Sequence, residues 1–410
     1  MQTDILIIGG GFAGLGVASQ ICTNSDLKVT LLEKGEIGDE SKTSSVTFMN
    51  TLNEFNLNSA ILQPYTKYSF RSESGLSACY ETSKPILALI NYRKASEILL
   101  KKAMLGNFEL YEKTPAINFS VDGEEIVVAT QEHVLSTKIL VDATGNAFFC
   151  GKKLEMKLPS FFQHSYGYAF KNSDIKLFND FCLFGGDHSP GGGWFYPGKD
   201  GIAKFGTCVG SKNPNFPENT LKDYLKYLIK YFKPYNSALK NAQTLRVEKG
   251  TIPIGCSKKL VNGRVMFIGD SAGMATPWGS EGLRPALETS ILCAKSIINA
   301  FENEKYFDSN ILEYQNQWNN FNKKVYNANI SWSKVKYKLG NSGWDAIIKK
   351  YHDDDVENVI NRIKTGEGIN ITKLIKIKLL LMKLNLNSFF GEMNYESRQK
   401  NNYKEKSDKN

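Results

Sequence analysis

The chain opens on DILIIGGGFAG, Asp4 to Gly14, in which three consecutive glycines follow an aliphatic run. The spacing fits G-x-G-x-x-G across Gly9, Gly11, Phe12, Ala13 and Gly14. Each glycine has its own task. Gly9 permits a tight turn, Gly11 leaves the backbone open to a diphosphate, and Gly14 lets a helix settle close to the strand. The helix from Phe12 then presents unpaired amides and a positive dipole end to phosphate oxygens. A second apolar strand, Lys28 to Leu32, ends at Glu33, with Lys34 beside it. An acidic residue about 20 positions after such a turn is placed to accept hydrogen bonds from ribose hydroxyls. Strand, turn, helix, strand and Glu33 together point to an adenine dinucleotide.

Two later stretches belong to the same chemistry. KILVDATGNA reads as a strand delivering Asp142, Thr144 and Gly145 to a glycine-containing turn. GRVMFIGDSAGMATPWGSEGLRPALETS reads as another strand ending in Gly269-Asp270, followed by a loop and a helix running from Gly282 to about Ala300. Pro277, Gly279 and Gly282 open that loop, and Leu283 begins the helix. A helix N-terminus favours negative charge on a group bound beside it. Glu281 has two open readings, a proton donor or an acid favouring the start of a helix.

With these segments in place the chain resembles the FAD-dependent monooxygenases and reductases, and within them the geranylgeranyl reductases. Three stretches carry the resemblance: NYRKASEILLKKA with Arg93, GGGWFYPGKDGIAKFGTCVG with Trp194, Tyr196 and Pro197, and the Gly269–Gly282 segment. The resemblance implies FAD as cofactor, with the ribitol chain on Asp270 and Arg93 near the cofactor. It further implies reduction of C=C bonds in a polyprenyl lipid or quinone precursor, with NADPH or ferredoxin supplying electrons. One departure stands out. Reductases of this kind often carry Cys-Gly-Glu shortly after the ribose-binding acid, where this chain reads GEIGDESKTSSVTFMN, without cysteine. A monooxygenase or halogenase of an aromatic substrate and a lycopene-cyclase-like non-redox flavoprotein remain the alternatives.

The substrate is expected across the flavin from a second sheet between Leu154 and Ile254. Within it Trp194–Tyr196, a turn at Gly198–Gly201 and Ile202–Val209 read as a hairpin. Trp194, Phe195 and Tyr196 either line an apolar tunnel or pack the sheet, and Trp278 would face the same substrate. Hydride delivery to an alkene needs a proton as well, for which Tyr196 and Glu281 are the candidates. His164 and His188 read as structural.

Positioning these groups requires an α/β chain: a Rossmann-type FAD-binding domain, an inserted antiparallel-sheet substrate domain and a helical C-terminal region. The expected boundaries are 1–153 with 255–300 for the first, 154–254 for the second, 301–393 for the third and 394–410 for a disordered tail. The chain's 410 residues, 41% hydrophobic and 23% charged, suffice for large cores. Seven scattered cysteines without a CxxC pair, and only four histidines, argue for no metal site, no disulfide framework and a reducing, cytoplasmic setting. No run of about 18 apolar residues is available to span a bilayer. From Ile371 to Asn410 nine Lys/Arg oppose four Asp/Glu, so +5 of the net +9 lies in the last forty residues. There Lys373, Lys376 and Lys383 form a stripe on an amphipathic helix, which either lies against an anionic membrane at its inner face or packs on the protein's own core. Nucleic acid is not expected as a partner, because these lysines alternate with aliphatics rather than aromatics.

Overall fold

The computed structural model describes residues 1–42, 44–172, 179–257, 259–277, 279–303, 311–320, 336–352, 356 and 358–360. All of them fall in one compact unit, Met1–Gly366. The lysine stripe at 373–383 and the 394–410 tail lie outside the described residues, as does Trp278.

The first sheet has five parallel strands at its centre, in the order Val265–Phe267, Val134–Asp142, Gln2–Ile8, Val29–Leu32 and Phe108–Tyr111. Its central strands bury both faces, which is why Ile5–Ile8 and Val29–Leu32 read as unbroken apolar runs rather than alternating ones. The Phe12–Asn24 helix follows the first strand and packs against Leu283–Glu302. Gly16 makes their close approach feasible, because a Cβ there would come within 2.8 Å of Ser290. A three-stranded sheet, Val46–Phe48, Leu87–Ile90 and Ile61–Tyr65, follows the Glu33 turn.

The second sheet has seven strands, ordered Gln243–Pro253, Phe162–Lys171, Ala203–Ser211, Ser189–Pro197, Asp180–Gly186, Lys67–Ser72 and Ser77–Glu81. The 189–197/203–211 hairpin is the one anticipated from sequence, with its strands longer than expected. Two strands come from 67–81, well before the expected boundary at 154, and Lys67–Ser72 joins in parallel to Asp180–Gly186. That pairing is long-range, so nothing local in 67–81 announces it. Leu221, Leu225 and Leu228 of the Glu218–Tyr231 helix pack onto the outer face with Phe184, Phe195 and Phe205. The inner face carries Trp194, Tyr196, Phe181, Lys204, Gln163 and Glu248, and turns toward the first sheet. Two contacts hold it there: Ser280 donates to Gln163 at 2.6 Å, and Arg246 pairs with Glu40 at 3.0 Å.

Candidate active site

The glycine turn assigns a separate physical task to each of its glycines. Gly9 has φ +108°, and a Cβ there would overlap the Ala143 carbonyl of the neighbouring strand's turn. A Cβ on Gly14 would overlap Gly9 O, so the helix sits this close only because that position is bare. At Gly11 the situation reverses. A Cβ there would meet only the Tyr92 hydroxyl, 3.9 Å away, which leaves open space beside the turn. Gly11 is also the N-cap and offers no side-chain cap to the amides of Phe12, Ala13 and Gly14. Open space, amides and the dipole end suit a diphosphate.

Tyr92 is a neighbour that sequence reasoning passed over in favour of Arg93. Its ring stacks on Phe12 at 4.7 Å, and its hydroxyl is hydrogen-bonded to the Phe12 backbone. Burial pushes its phenol up to about 12. Arg93 itself is exposed, with its backbone against Gly38. Glu33 accepts from the backbone N–H of Gly10 at 2.7 Å and of Gly35 at 2.8 Å, which fixes its carboxylate at the mouth of the turn. Lys34 is exposed next to it.

Asp142 is fully buried and spends both oxygens on its own loop. It accepts from Thr144 N at 3.0 Å, Thr144 Oγ1 at 2.6 Å and Cys150 N at 2.8 Å. Its contribution is to shape the Thr144–Gly145 turn rather than to reach a ligand. Gly145, at φ +66°, faces open space. Asp270 is the contrasting case. It is half-buried, and no protein donor among the described residues reaches its carboxylate. Burial alone pushes its carboxyl up to about 6. Gly269 (φ +66°) brings this segment against Ala13, and Asp270 Oδ1 lies 3.6 Å from where Gly282 would carry a Cβ. A carboxylate without a protein partner, set between two helix N-termini, fits a polyhydroxylated chain crossing from one to the other.

In the loop that follows, Pro277 is buried, Gly279 exposed, and Gly282 caps the helix beginning at Leu283. Glu281 turns back onto that helix. Its Oε1 accepts from Arg284 N at 2.7 Å and Thr47 Oγ1 at 3.2 Å, and its Oε2 lies 3.4 Å from Arg284 Nε. Burial raises its carboxyl, and the Arg284 guanidinium opposes the rise. This geometry is that of a cap.

Across from these groups, Tyr196 stacks on Phe181 at 4.9 Å, and Trp194 lies flat over Gly206 and Gly167. Phe195 takes the second of its two readings, packing the sheet. It points to the outer face, stacked on Tyr235 at 4.2 Å, because successive strand residues alternate sides. Only Trp194 and Tyr196 of that trio are on the inner face. Burial holds the Tyr196 phenol far above its ordinary value. Beside Tyr196 in register is Lys204, paired with Glu248 at 2.9 Å. Neither shows in the sequence, since a lone Lys and a lone Glu 44 positions apart carry no local pattern. His164 bonds Thr251 and the Asn213 carbonyl, and His188 pairs with Glu73. Among the described residues no cluster of His, Cys, Asp and Glu could hold a metal ion.

Comparison with known proteins agrees with this geometry. Residues 4–180 match the lycopene cyclase protein family model. Digeranylgeranylglycerophospholipid reductase 3 of Methanosphaera stadtmanae is 22% identical over 401 residues, covering 93% of this chain and 99% of the relative. Over nearly its whole length the chain is similar to digeranylgeranylglycerophospholipid reductases. The digeranylgeranylglycerophospholipid reductase of Methanococcus vannielii is 21% identical, covering 95% of this chain and 98% of its own. Among solved structures, a geranylgeranyl bacteriochlorophyll reductase-like protein from Thermoplasma acidophilum superposes with TM-score 0.79 at 19% identity, covering 92% and 99%. The flavin-dependent brominase Bmp2 shares the fold at TM-score 0.71 and 17% identity, covering 94% and 99%. In this chain the segment lacking Cys-Gly-Glu contains the Glu40–Lys42 turn, which Glu40 ties to Arg246 of the seven-stranded sheet.

Proposed function

We propose that the protein reduces C=C bonds of a geranylgeranyl-type polyprenyl chain carried by a lipid or quinone precursor. The observation that carries this reading is the near-complete alignment with digeranylgeranylglycerophospholipid reductases, over 93% of this chain. FAD, held by the residues named below, would supply the hydride chemistry, with NADPH or ferredoxin as the source of electrons.

The chain's own residues bind, orient and exclude water. The Gly9–Gly14 turn and the amides that follow it hold the diphosphate, with Arg93 and Lys34 at its margin. Glu33 takes the ribose and Asp270 the ribitol. The Thr144–Gly145 turn, shaped by Asp142, closes one side. Gly269, Pro277, Gly279, Gly282 and Leu283 bring a helix N-terminus to the ring, where its dipole favours negative charge. Trp194 and Tyr196 present an apolar surface to the hydrocarbon. The Tyr196 hydroxyl, which burial keeps protonated, holds the proton that completes the reduction.

The test is direct. Purified protein is yellow, and with reduced flavin it converts a geranylgeranyl lipid into products heavier by two hydrogens per double bond, read by mass spectrometry. Unchanged substrate mass, with the flavin demonstrably reduced, rejects the proposal. The match of residues 4–180 to the lycopene cyclase model favours one second reading, a non-redox cyclisation, which rearranged products of unaltered mass would single out.

A further inference from the structure

The Glu218–Tyr231 helix is amphipathic in an unusual way. Its inward stripe, Leu221, Leu225 and Leu228, is buried on the outer face of the seven-stranded sheet. Its outward side carries Lys226, Tyr227, Lys230 and Tyr231, all exposed, and Lys233 follows, also exposed. Tyr227 and Tyr231 are 43% and 53% exposed, and no other aromatic side chain among the described residues is classed with them as exposed. An aromatic ring left in water forgoes the favourable burial that most others in this chain obtain.

These rings are held in place rather than left loose. Tyr227 stacks on His188 at 3.6 Å, and His188 is itself bonded to Glu73 at 2.9 Å. Tyr231 packs on Tyr227 at 4.9 Å, and Lys230 Nζ sits 4.9 Å over the Tyr231 ring. The charge around them is one-sided. Residues 222–240 contain five lysines against one acid, Asp223, for a net +4. Lys222 is bridged by Glu218 and Lys226 approaches Asp223 at 3.7 Å, whereas no acid pairs with Lys230 or Lys233 among the described residues.

Rings with an apolar body and a hydroxyl tip, interleaved with lysines on one ridge, match the layered chemistry of a membrane surface. We propose that this outward face docks on an anionic lipid bilayer. Tyr227 and Tyr231 sit at headgroup depth, and Lys226, Lys230 and Lys233 lie against the lipid charges. The ridge is on the side of the sheet away from the glycine turn, so docking leaves the cofactor side unobstructed. The surface is independent of the flavin chemistry and stands or falls separately from it.

Co-sedimentation of the full chain with vesicles tests it, using phosphatidylcholine alone and phosphatidylcholine containing a minority of phosphatidylglycerol. The wild type is expected to bind the anionic vesicles, to lose binding at high salt, and to ignore the neutral ones. The triple variant K226Q/K230Q/K233Q weakens anionic binding roughly tenfold or more, and Y231S weakens it roughly threefold at unchanged charge. Both alter exposed side chains, and an unchanged melting temperature verifies their fold. Wild-type uptake that neither variant reduces overturns the proposal and assigns binding elsewhere, the basic residues beyond 370 included. Equal uptake by neutral vesicles overturns it too, as does salt-sensitive binding to an oligonucleotide without any to vesicles.

Discussion

Lys204 Nζ lies 2.9 Å from Glu248 Oε1, and the two side chains are only 3% and 2% exposed. A buried ion pair of this kind gains little net stability, because desolvation offsets most of the attraction, but stranding one partner is costly. The partners here are unequal. Glu248 Oε1 also accepts from Arg246 at 2.9 and 3.1 Å, whereas Glu248 is the carboxylate that holds Lys204.

Glu248→Leu is therefore expected to cost about 3–5 kcal/mol in urea denaturation, and Lys204→Met distinctly less. The double variant recovers most of the loss. Burial already lowers the Lys204 ammonium below its usual range, and loss of Glu248 removes the attraction that opposes this. The deficit of Glu248→Leu is then fully present below the further-lowered Lys204 pKa of the variant, shrinks as pH rises from there to the wild-type Lys204 pKa, and is smallest above it. A deficit that does not shrink anywhere between neutral pH and about pH 10 contradicts this account.

Gly11 and Gly14 differ in what a methyl group would meet. Gly14→Ala forces its Cβ into Gly9 O, so the turn itself must move. Loss of both stability and cofactor is expected. Gly11→Ala meets nothing nearer than Tyr92 Oη at 3.9 Å. It should leave the cofactor-free melting temperature close to the wild type while weakening FAD roughly tenfold, since the methyl group occupies the diphosphate approach. Absorbance of the retained flavin, set beside thermal melts, separates the two.

Asp270 carries a cost that a ligand would relieve. Its carboxyl is pushed from 3.8 to about 6, so the folded state binds a proton more readily than the unfolded chain across that interval. The contribution of Asp270 to the stability of the cofactor-free protein therefore falls as pH rises from about 4 to 6. Asp270→Asn should abolish this slope, be more stable than wild type above pH 6 by about 1–2 kcal/mol, and bind FAD more weakly. Melting curves between pH 4 and pH 8 on cofactor-stripped wild type and variant check it, and a stability advantage of Asp270→Asn that does not grow from pH 4 to pH 6 would refute it.

Glu281 and Tyr196 were the two proton-donor candidates, and their surroundings divide them. Glu281→Gln loses a helix cap worth about 1 kcal/mol, with turnover changed by less than about threefold. Tyr196→Phe keeps the stacked ring on Phe181 but loses the hydroxyl, and turnover is expected to fall by roughly 100-fold with little change in KM. Steady-state kinetics that give the opposite pattern would place the proton on Glu281.

How much was legible in the sequence depended on the range of the signal. The Gly9–Gly14 turn, Glu33 and the Gly269–Gly282 segment are local, because tight turns and close strand–helix approach restrict residue type within a few positions. The hairpin through Trp194 shows for the same reason, since its turn and strands are contiguous. Which side of that hairpin each aromatic takes was settled by register, and Phe195 accordingly lies on the outer face. The strands at 67–81 joined a sheet whose nearest partner begins at Asp180, a pairing fixed by long-range packing. The Lys204–Glu248 pair arises because three neighbouring strands bring the two residues to one buried face, and Glu281 became a cap once Thr47 and Arg284 were brought to it. The amino-acid order by itself thus determined where the backbone could turn and leave helix amides uncapped. Only the folded chain decided which side chains share a face, because long-range pairing and burial choose partners that no short stretch of sequence encodes.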